Sequence, residues 1–451
     1  MSGSLLIRSG IILTMNDVME IVSGDVGIRD GRIEAVGRVD PGARYDRVVD
    51  AGGGYVLPGL IQTHVHLCQT LFRGFADDLP LLEWLRRRVW PMEAAHNPES
   101  LRAAAQLASL ELLTSGTTAV LTMETVHETE VVCETVAACG LRATIGKAMM
   151  DAAPEAPRRL QEETRASLDE SLSIARQWDG AAGGRLHVAF APRFAVSCSE
   201  ELLRSVASLS AEQGLLVHTH ASESRDEIAV VRGRTGQGNV EYLAHVRLAS
   251  PRLCAAHCVW VDESEMALLA DHDVKVLHCP SSNLKLGSGI APVSEMRRRG
   301  IRVSLGTDGA ACNNRLDMFE EMRLAALLQA ARSGPGALPA PDALWMATRA
   351  GAQALGLDAE IGSIEPGKRA DLIVVDRDRP HLVPGDDPCS TLVYAARGTD
   401  VRTTIVDGEI LVDKGEPLHL DRHEIVSKAR TAAHDLLERS RRLAGTAADT
   451  V

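Results

Sequence analysis

The chain has 451 residues, 45% of them hydrophobic and only 3% aromatic, with a formal charge of −13 and nine cysteines. That length exceeds what a single core fills, so more than one module is expected, packed mainly with Leu, Val, Ile and Ala. The negative charge argues against nucleic acid or an anionic membrane as partner, and no apolar stretch approaches the ~18 residues of a membrane span. The cysteines are scattered without a C-x-x-C pair, and the first residues lack a signal-peptide pattern. Both features read as buried thiols in a cytoplasmic protein.

Residues 1–57 read as short strands and tight turns. Ser4–Arg8 and Ile11–Met15 come first, then Asp25–Arg29 and Arg32–Val36 around the hairpin turn Asp30-Gly31. A second β stretch appears in 362–420, with Ala370–Asp376, Val401–Val406, an Asp407-Gly408 turn and Glu409–Val412. Two β segments at opposite ends of a chain most simply form one small sandwich, with a large domain inserted between them. Between them, 58–361 alternates apolar strands with amphipathic helices. Leu101–Leu113 reads as a helix, and Thr117–Leu121, Leu186–Phe190, Leu215–His218, Leu253–Ala256, Val274–Leu277 and Arg302–Leu305 read as strands. That is the pattern of an α/β protein with an eight-fold (β/α)8 barrel. The tail, 421–451, has helical spacing and high charge.

The polar residues of interest fall where the barrel strands end, which is where such barrels place their chemistry. The strand Val56–His66 ends in His64-Val65-His66, and side chains two apart on a strand point the same way. Farther on come His218-Thr219-His220, Glu223, His257 and Asp308, each just after an apolar run. His-rich sets with an open position suit zinc, which lowers the pKa of a bound water to roughly 7. The expected ligands of one zinc per subunit are His64, His66, His220 and Asp308. Fe2+ suits the same donors, and His218 is an alternative ligand. Asp308 is also placed to accept a proton from the attacking water. Glu223 can carry that proton to a ring nitrogen and then to the leaving group, and His257 can donate to the attacking oxygen or hold it. A second metal would need a bridging group; Lys147 is the suggestive lysine, and a surface or substrate-contacting role suits it better.

These motifs resemble the amidohydrolase superfamily, specifically its branch of nucleoside and nucleobase deaminases, which also holds triazine hydrolases. The resemblance runs from the N-terminal hairpin to Gly362–Leu372. It implies a metal-dependent deaminase, a small-molecule purine substrate and a homo-oligomer. Ser282–Val293 and Gly306–Asn314 look like the methylthioadenosine and S-adenosylhomocysteine deaminases, in which a Trp and a Glu contact base and ribose; the matching positions are Trp84 and Glu93. Gln69, Lys147 and Arg193 look instead like guanine deaminase. The resemblance therefore implies deamination of adenine in a nucleoside without a 5′-phosphate, such as 5′-deoxyadenosine, methylthioadenosine, S-adenosylhomocysteine or adenosine. A guanine-type base is the alternative, and s-triazine amino- or chlorohydrolysis a further one.

Overall fold

The structure, a computed structural model, describes residues 3–448; residues 1–2 of the expected first β segment and 449–451 of the expected tail helix lie outside it. The first β segment supplies β1 (Ser4–Leu13), β2 (Ile21–Arg29), β3 (Arg32–Gly37), β4 (Arg47–Asp50) and β5 (Tyr55–Pro58). The barrel strands follow: β6 (Leu60–Val65), β7 (Thr117–Met123), β8 (Arg142–Met149), β9 (Leu186–Pro192), β10 (Leu216–Ala221), β11 (Leu253–His257), β12 (Lys275–His278) and β13 (Val303–Leu305). Then come β14 (Leu372–Val375), β15 (Val401–Val406), β16 (Glu409–Asp413) and β17 (Glu416–Pro417).

Strands β6 to β13 pair in sequence order, every pair parallel. Each strand is separated from the next by at least one helix, as parallel neighbours require. The ring is drawn together by contacts between its first and last strands. Thr63 Oγ1 donates to the Leu305 carbonyl at 2.9 Å, and Asp308 N donates to the His64 carbonyl at 3.0 Å. Gly306 permits this approach: a Cβ there would lie 2.7 Å from both N and O of His64. A backbone that must pass this close to another leaves no room for a side chain.

The two chain ends form one nine-stranded sheet, ordered β17-β16-β15-β14-β5-β1-β2-β3 with β4 beside β1. Its early and late strands share a core that includes Ile7, Val26, Ile33, Leu372 and Ile405. The two Asp-Gly turns meet, since a Cβ on Gly408 would fall 2.7 Å from the Gly31 Cα. The sequence expectation of two separate strands at the start is corrected: Ser4–Leu13 is one strand, irregular between Ile7 and Gly10, where the register shifts. Sheet and barrel are locked together by Arg142, at the start of β8. Its guanidinium binds the buried Asp371 at 2.7 and 3.0 Å, with the two oxygens taken one each. The tail is a helix, Arg422–Ala448, and among the described residues no helix is long and apolar enough to cross a membrane.

Candidate active site

Four strand ends on one face of the barrel bring six polar residues to a point. His64 closes β6, and His66 opens the 3-10 helix Leu67–Phe72. His220 lies in β10, His257 ends β11, and Asp308 follows β13. Three backbones here are left-handed without being glycine: Ser222 (φ 52°), His257 (φ 73°) and Asp308 (φ 62°). Such conformations cost on the order of 1–3 kcal/mol each and persist where the surroundings fix them.

Every imidazole of the proposed ligand set is gripped through Nδ1. His66 Nδ1 donates to the Met123 carbonyl at 2.6 Å and His220 Nδ1 to the Arg193 carbonyl at 2.7 Å. Because a carbonyl only accepts, both rings carry their proton on Nδ1 and turn a lone pair outward from Nε2. His64 Nδ1 meets His218 Nε2 at 2.6 Å. This places His218 behind His64 as its orienting partner, not beside it as a ligand. The Nε2 atoms converge: His66 to His220 is 3.4 Å, and Asp308 Oδ1 lies 3.3 Å from His64 Nε2 and 3.2 Å from His66 Nε2. Zinc–ligand bonds of about 2.0–2.1 Å arranged tetrahedrally give ligand–ligand edges of about 3.3–3.4 Å. The donors fit a zinc-sized ion on this measure, and His64 Nε2 is a buried nitrogen with no hydrogen bond to satisfy it. Burial pushes His64 down to about 4 and His220 well below the usual imidazole range, so both are neutral and able to ligate at neutral pH.

The remaining groups face the same point. Asp308 is held by Gly309 N on Oδ1 at 2.7 Å and by the Ser282 hydroxyl on Oδ2 at 2.6 Å. His257 Nε2 lies 3.5 Å from Glu223 Oε2 and 3.9 Å from Asp308 Oδ2. Its Nδ1 is paired at 2.9 Å with Asn283 Oδ1, which can only accept, so a neutral His257 presents Nε2 as an acceptor. Glu223 is fixed through its backbone, whose N–H donates to Glu227 Oε2 at 2.7 Å. Burial, reinforced by the negative charge of Asp308, holds the Glu223 carboxyl well above the usual carboxylate range. Sequence reasoning missed Asn283, Ser282 and Glu227 as supports; the first two stood within the Ser282–Val293 motif, but nothing in their spacing showed which residue each would hold.

A narrow cavity opens onto this cluster, walled by Gln69, Leu81, Trp84, Leu85, Arg193 and Phe194. Trp84 ends the helical turn Leu81–Trp84, and the helix widens to a π turn over Leu85–Val89. Pro91 explains the widening: it has no N–H to give and its ring would strike the carbonyl four residues back. Glu93 lies on the same helical stretch but behind the wall, where Arg193 grips it at 2.6 and 3.1 Å and Gln69 Nε2 donates at 3.0 Å. Lys147 is not brought to the cavity. It is buried elsewhere, with Nζ 2.5 Å from Glu162 and 3.7 Å from Glu170. A strand buried on both faces carries no sequence signal for which side a residue takes.

The amidohydrolase family pattern matches residues 55–411. The chain belongs to the amidohydrolase family. This amidohydrolase is 42% identical over 438 residues to a 5′-deoxyadenosine deaminase of Methanosarcina acetivorans, covering 97% of this chain and 99% of that one. It is 40% identical to a 5-methylthioadenosine/S-adenosylhomocysteine deaminase of Pelotomaculum thermopropionicum, over 97% and 99% of the two chains. Among solved structures it superposes on an adenosine deaminase from Xanthomonas campestris with bound zinc, with a TM-score of 0.91, 33% identity and coverage of 96% and 98%. The matched span takes in the whole barrel and with it the cluster of His, Asp and Glu at its mouth.

Proposed function

We propose that this amidohydrolase deaminates the 6-amino group of an adenine ring carried on a ribose without a 5′-phosphate. The observation that carries the reading is its near-complete alignment, at 42% identity, with a 5′-deoxyadenosine deaminase. The candidate substrates are 5′-deoxyadenosine, 5′-methylthioadenosine, S-adenosylhomocysteine and adenosine. His64, His66, His220 and Asp308 would hold a single zinc, which supplies a water nucleophile at neutral pH and polarises it.

The chain's own groups account for the proton movements. Water adds to C6 while Asp308, 3.9 Å from His257 Nε2 through Oδ2, accepts a proton from it. His257 accepts a hydrogen bond from the attacking oxygen through Nε2 and fixes its line of approach. Glu223, kept protonated by burial, delivers its proton to the adjacent ring nitrogen. The proton taken by Asp308 passes to the amino group by way of Glu223; the C6–N bond breaks, ammonia leaves, and the proton still on the C6 oxygen returns through Asp308 to Glu223, restoring it as the acid. Water and the aminopurine thus become ammonia and the 6-oxopurine. Trp84 offers a ring for the base to pack against. Glu93 accepts three hydrogen bonds from Arg193 and Gln69 behind the wall, which leaves it one of roughly four acceptor positions; a ribose hydroxyl would reach it by displacing Gln69 or Arg193 from the wall. Nine free, buried thiols support a cytoplasmic setting.

A guanine-type base is the second reading, and a specific observation favours it. Arg193 and Gln69 do meet at the cavity wall, and Gln69 Oε1 is buried there without a partner. Glu93→Gln separates the two readings. A ribose contact predicts that turnover of 5′-deoxyadenosine falls by a factor of 10 or more while any guanine turnover changes little. Equal losses on both would remove Glu93 from ribose recognition. The variant leaves Arg193 buried beside a neutral partner, so thermal unfolding is measured alongside.

A further inference from the structure

Glu124 follows β7 directly, and none of the proton movements involves it. The residue is buried, at 1% exposure. An acid so deep in a fold is costly unless its oxygens are satisfied. Here both are. Oε1 accepts from the Leu67 N–H at 3.1 Å and from the Thr122 hydroxyl, and Oε2 accepts from the Cys68 N–H at 2.9 Å. Leu67 and Cys68 are the first two residues of the 3-10 helix that His66 opens, and the His66 side chain does not cap it. A helix start leaves its first N–H groups without partners inside the helix, and Glu124 supplies acceptors for two of them from the neighbouring strand end.

Both sides of this contact are themselves held. Glu124 N donates to the Gly146 carbonyl at 2.8 Å, which ties the residue to β8. The Cys68 carbonyl accepts from His96 Nε2 at 3.1 Å, so Cys68 is fixed through its N–H and its carbonyl alike. His96 is buried, and its Nδ1 is paired with the Ser100 hydroxyl at 2.9 Å. One residue before Glu124, the Met123 carbonyl takes the proton side of the His66 ring at 2.6 Å. Two consecutive residues at the end of β7 thus grip His66, one at its imidazole and one at the backbone that carries it.

We propose that Glu124 is a positioning residue for the metal centre: its carboxyl fixes the turn after His66, so that the Met123 carbonyl can aim His66 Nε2 at the point shared with His220 and Asp308. The inference rests on the reading of His66 as a zinc ligand. An imidazole held at Nδ1 alone can still shift with its backbone; held at both places it keeps Nε2 at 3.2 Å from Asp308 Oδ1 and 3.4 Å from His220 Nε2. Two consecutive N–H groups call for two acceptor oxygens. An amide in that place keeps one and turns an NH2 group, which cannot accept, toward the other N–H.

The test uses the full-length protein, stripped of metal and titrated with zinc in competition with a chelator. Glu124→Ala is expected to weaken zinc binding by roughly 10–100-fold, and Glu124→Gln to weaken it by less. Cobalt(II) in place of zinc adds a readout that a loss of stability alone would not move: its visible ligand-field bands should shift in both variants. A zinc affinity or a cobalt spectrum unchanged from wild type would overturn the proposal, even beside a lowered Tm, because Glu124 would then serve only the fold. If Glu124→Ala does not fold, Glu124→Gln carries the same test. None of these readouts uses a substrate, so failure of the deaminase reading would leave them standing. Wild type that bound no zinc would sink the reading of the ligand set instead. Crystal structures of wild type and Glu124→Gln would then decide: a displaced His66 ring in the variant supports the proposal, and an unmoved one overturns it.

Discussion

His218 shows how much of the centre's chemistry is settled one residue away from it. Its Nε2 lies 2.6 Å from His64 Nδ1, and it is fully buried. Burial drives its pKa well below the imidazole range, so it stays neutral; with its own proton on Nδ1, its Nε2 accepts from His64 Nδ1–H, the tautomer that leaves His64 Nε2 free to ligate. Partners of this kind typically contribute 10–100-fold in metal affinity. His218→Ala is accordingly expected to weaken zinc binding by roughly 10–100-fold, read by competition with a chelator. Unchanged affinity would mean that packing alone orients the His64 ring. The buried Arg193–Glu93 pair obeys a related rule, because removing one partner strands the other charge. Glu93→Ala should destabilise by about 3–5 kcal/mol, measured by chemical denaturation, where an exposed pair would cost almost nothing.

At the level of elements, the tail helix and the helix Met318–Ser333 brace the site. The wall helix with Trp84, Trp90 and Met92 shares its apolar cluster with Ala429 and Leu436 of the tail helix. Leu436→Ala should cost about 2–5 kcal/mol, and should raise KM more than it lowers kcat, because the wall shifts while the strand-borne ligands do not. Steady-state kinetics decide it: an equal fall in kcat would place the tail helix's influence on the chemistry itself. The helix Met318–Ser333 carries Glu321, whose carboxylate accepts from Ser281 N at 3.1 Å and from Asn313 Nδ2 at 2.8 Å, bracing the loop around Asp308. Burial pushes Glu321 up to about 8. The folded chain thus keeps a proton that the unfolded chain gives up in the ordinary carboxylate range. The stability from this group is complete below that range and is lost as pH rises through about 8. Glu321→Gln should flatten the decline in Tm between pH 6 and 9; an unaltered decline would assign it to other groups.

These elements also mark where the sequence could be read. The His-x-His pair and the later His, Glu and Asp sat at the ends of apolar runs, and strand ends in a parallel barrel share one face whatever the intervening helices do. For that reason His64, His66, His220, Glu223, His257 and Asp308 could be grouped without coordinates. Lys147 could not be placed, because β8 is buried on both faces and neither side is polar by default. The grips of Asn283 on His257 and Ser282 on Asp308 arise only when segments distant in sequence meet.

For the molecule as a whole, a bound metal would be coupled to the fold. The donor atoms of His64, His66, His220 and Asp308 converge, Asp308 lying 3.2 Å from His66 and 3.3 Å from His64, and His66 3.4 Å from His220, so an ion held at their centre would bind the folded chain and not the unfolded one. Chelation is expected to abolish turnover and lower Tm, and zinc restored to a hundredfold excess over its Kd to return about 2.7 kcal/mol. What the enzyme hydrolyses is a separate question. The most direct measurement is ammonia release by the zinc-loaded protein on 5′-deoxyadenosine, methylthioadenosine, S-adenosylhomocysteine, adenosine and guanine, side by side. Rapid release from one or more of the nucleosides with little from guanine is the predicted result. Release from guanine alone would contradict it, and would assign Arg193 and Gln69, rather than Glu93, the recognition of substrate.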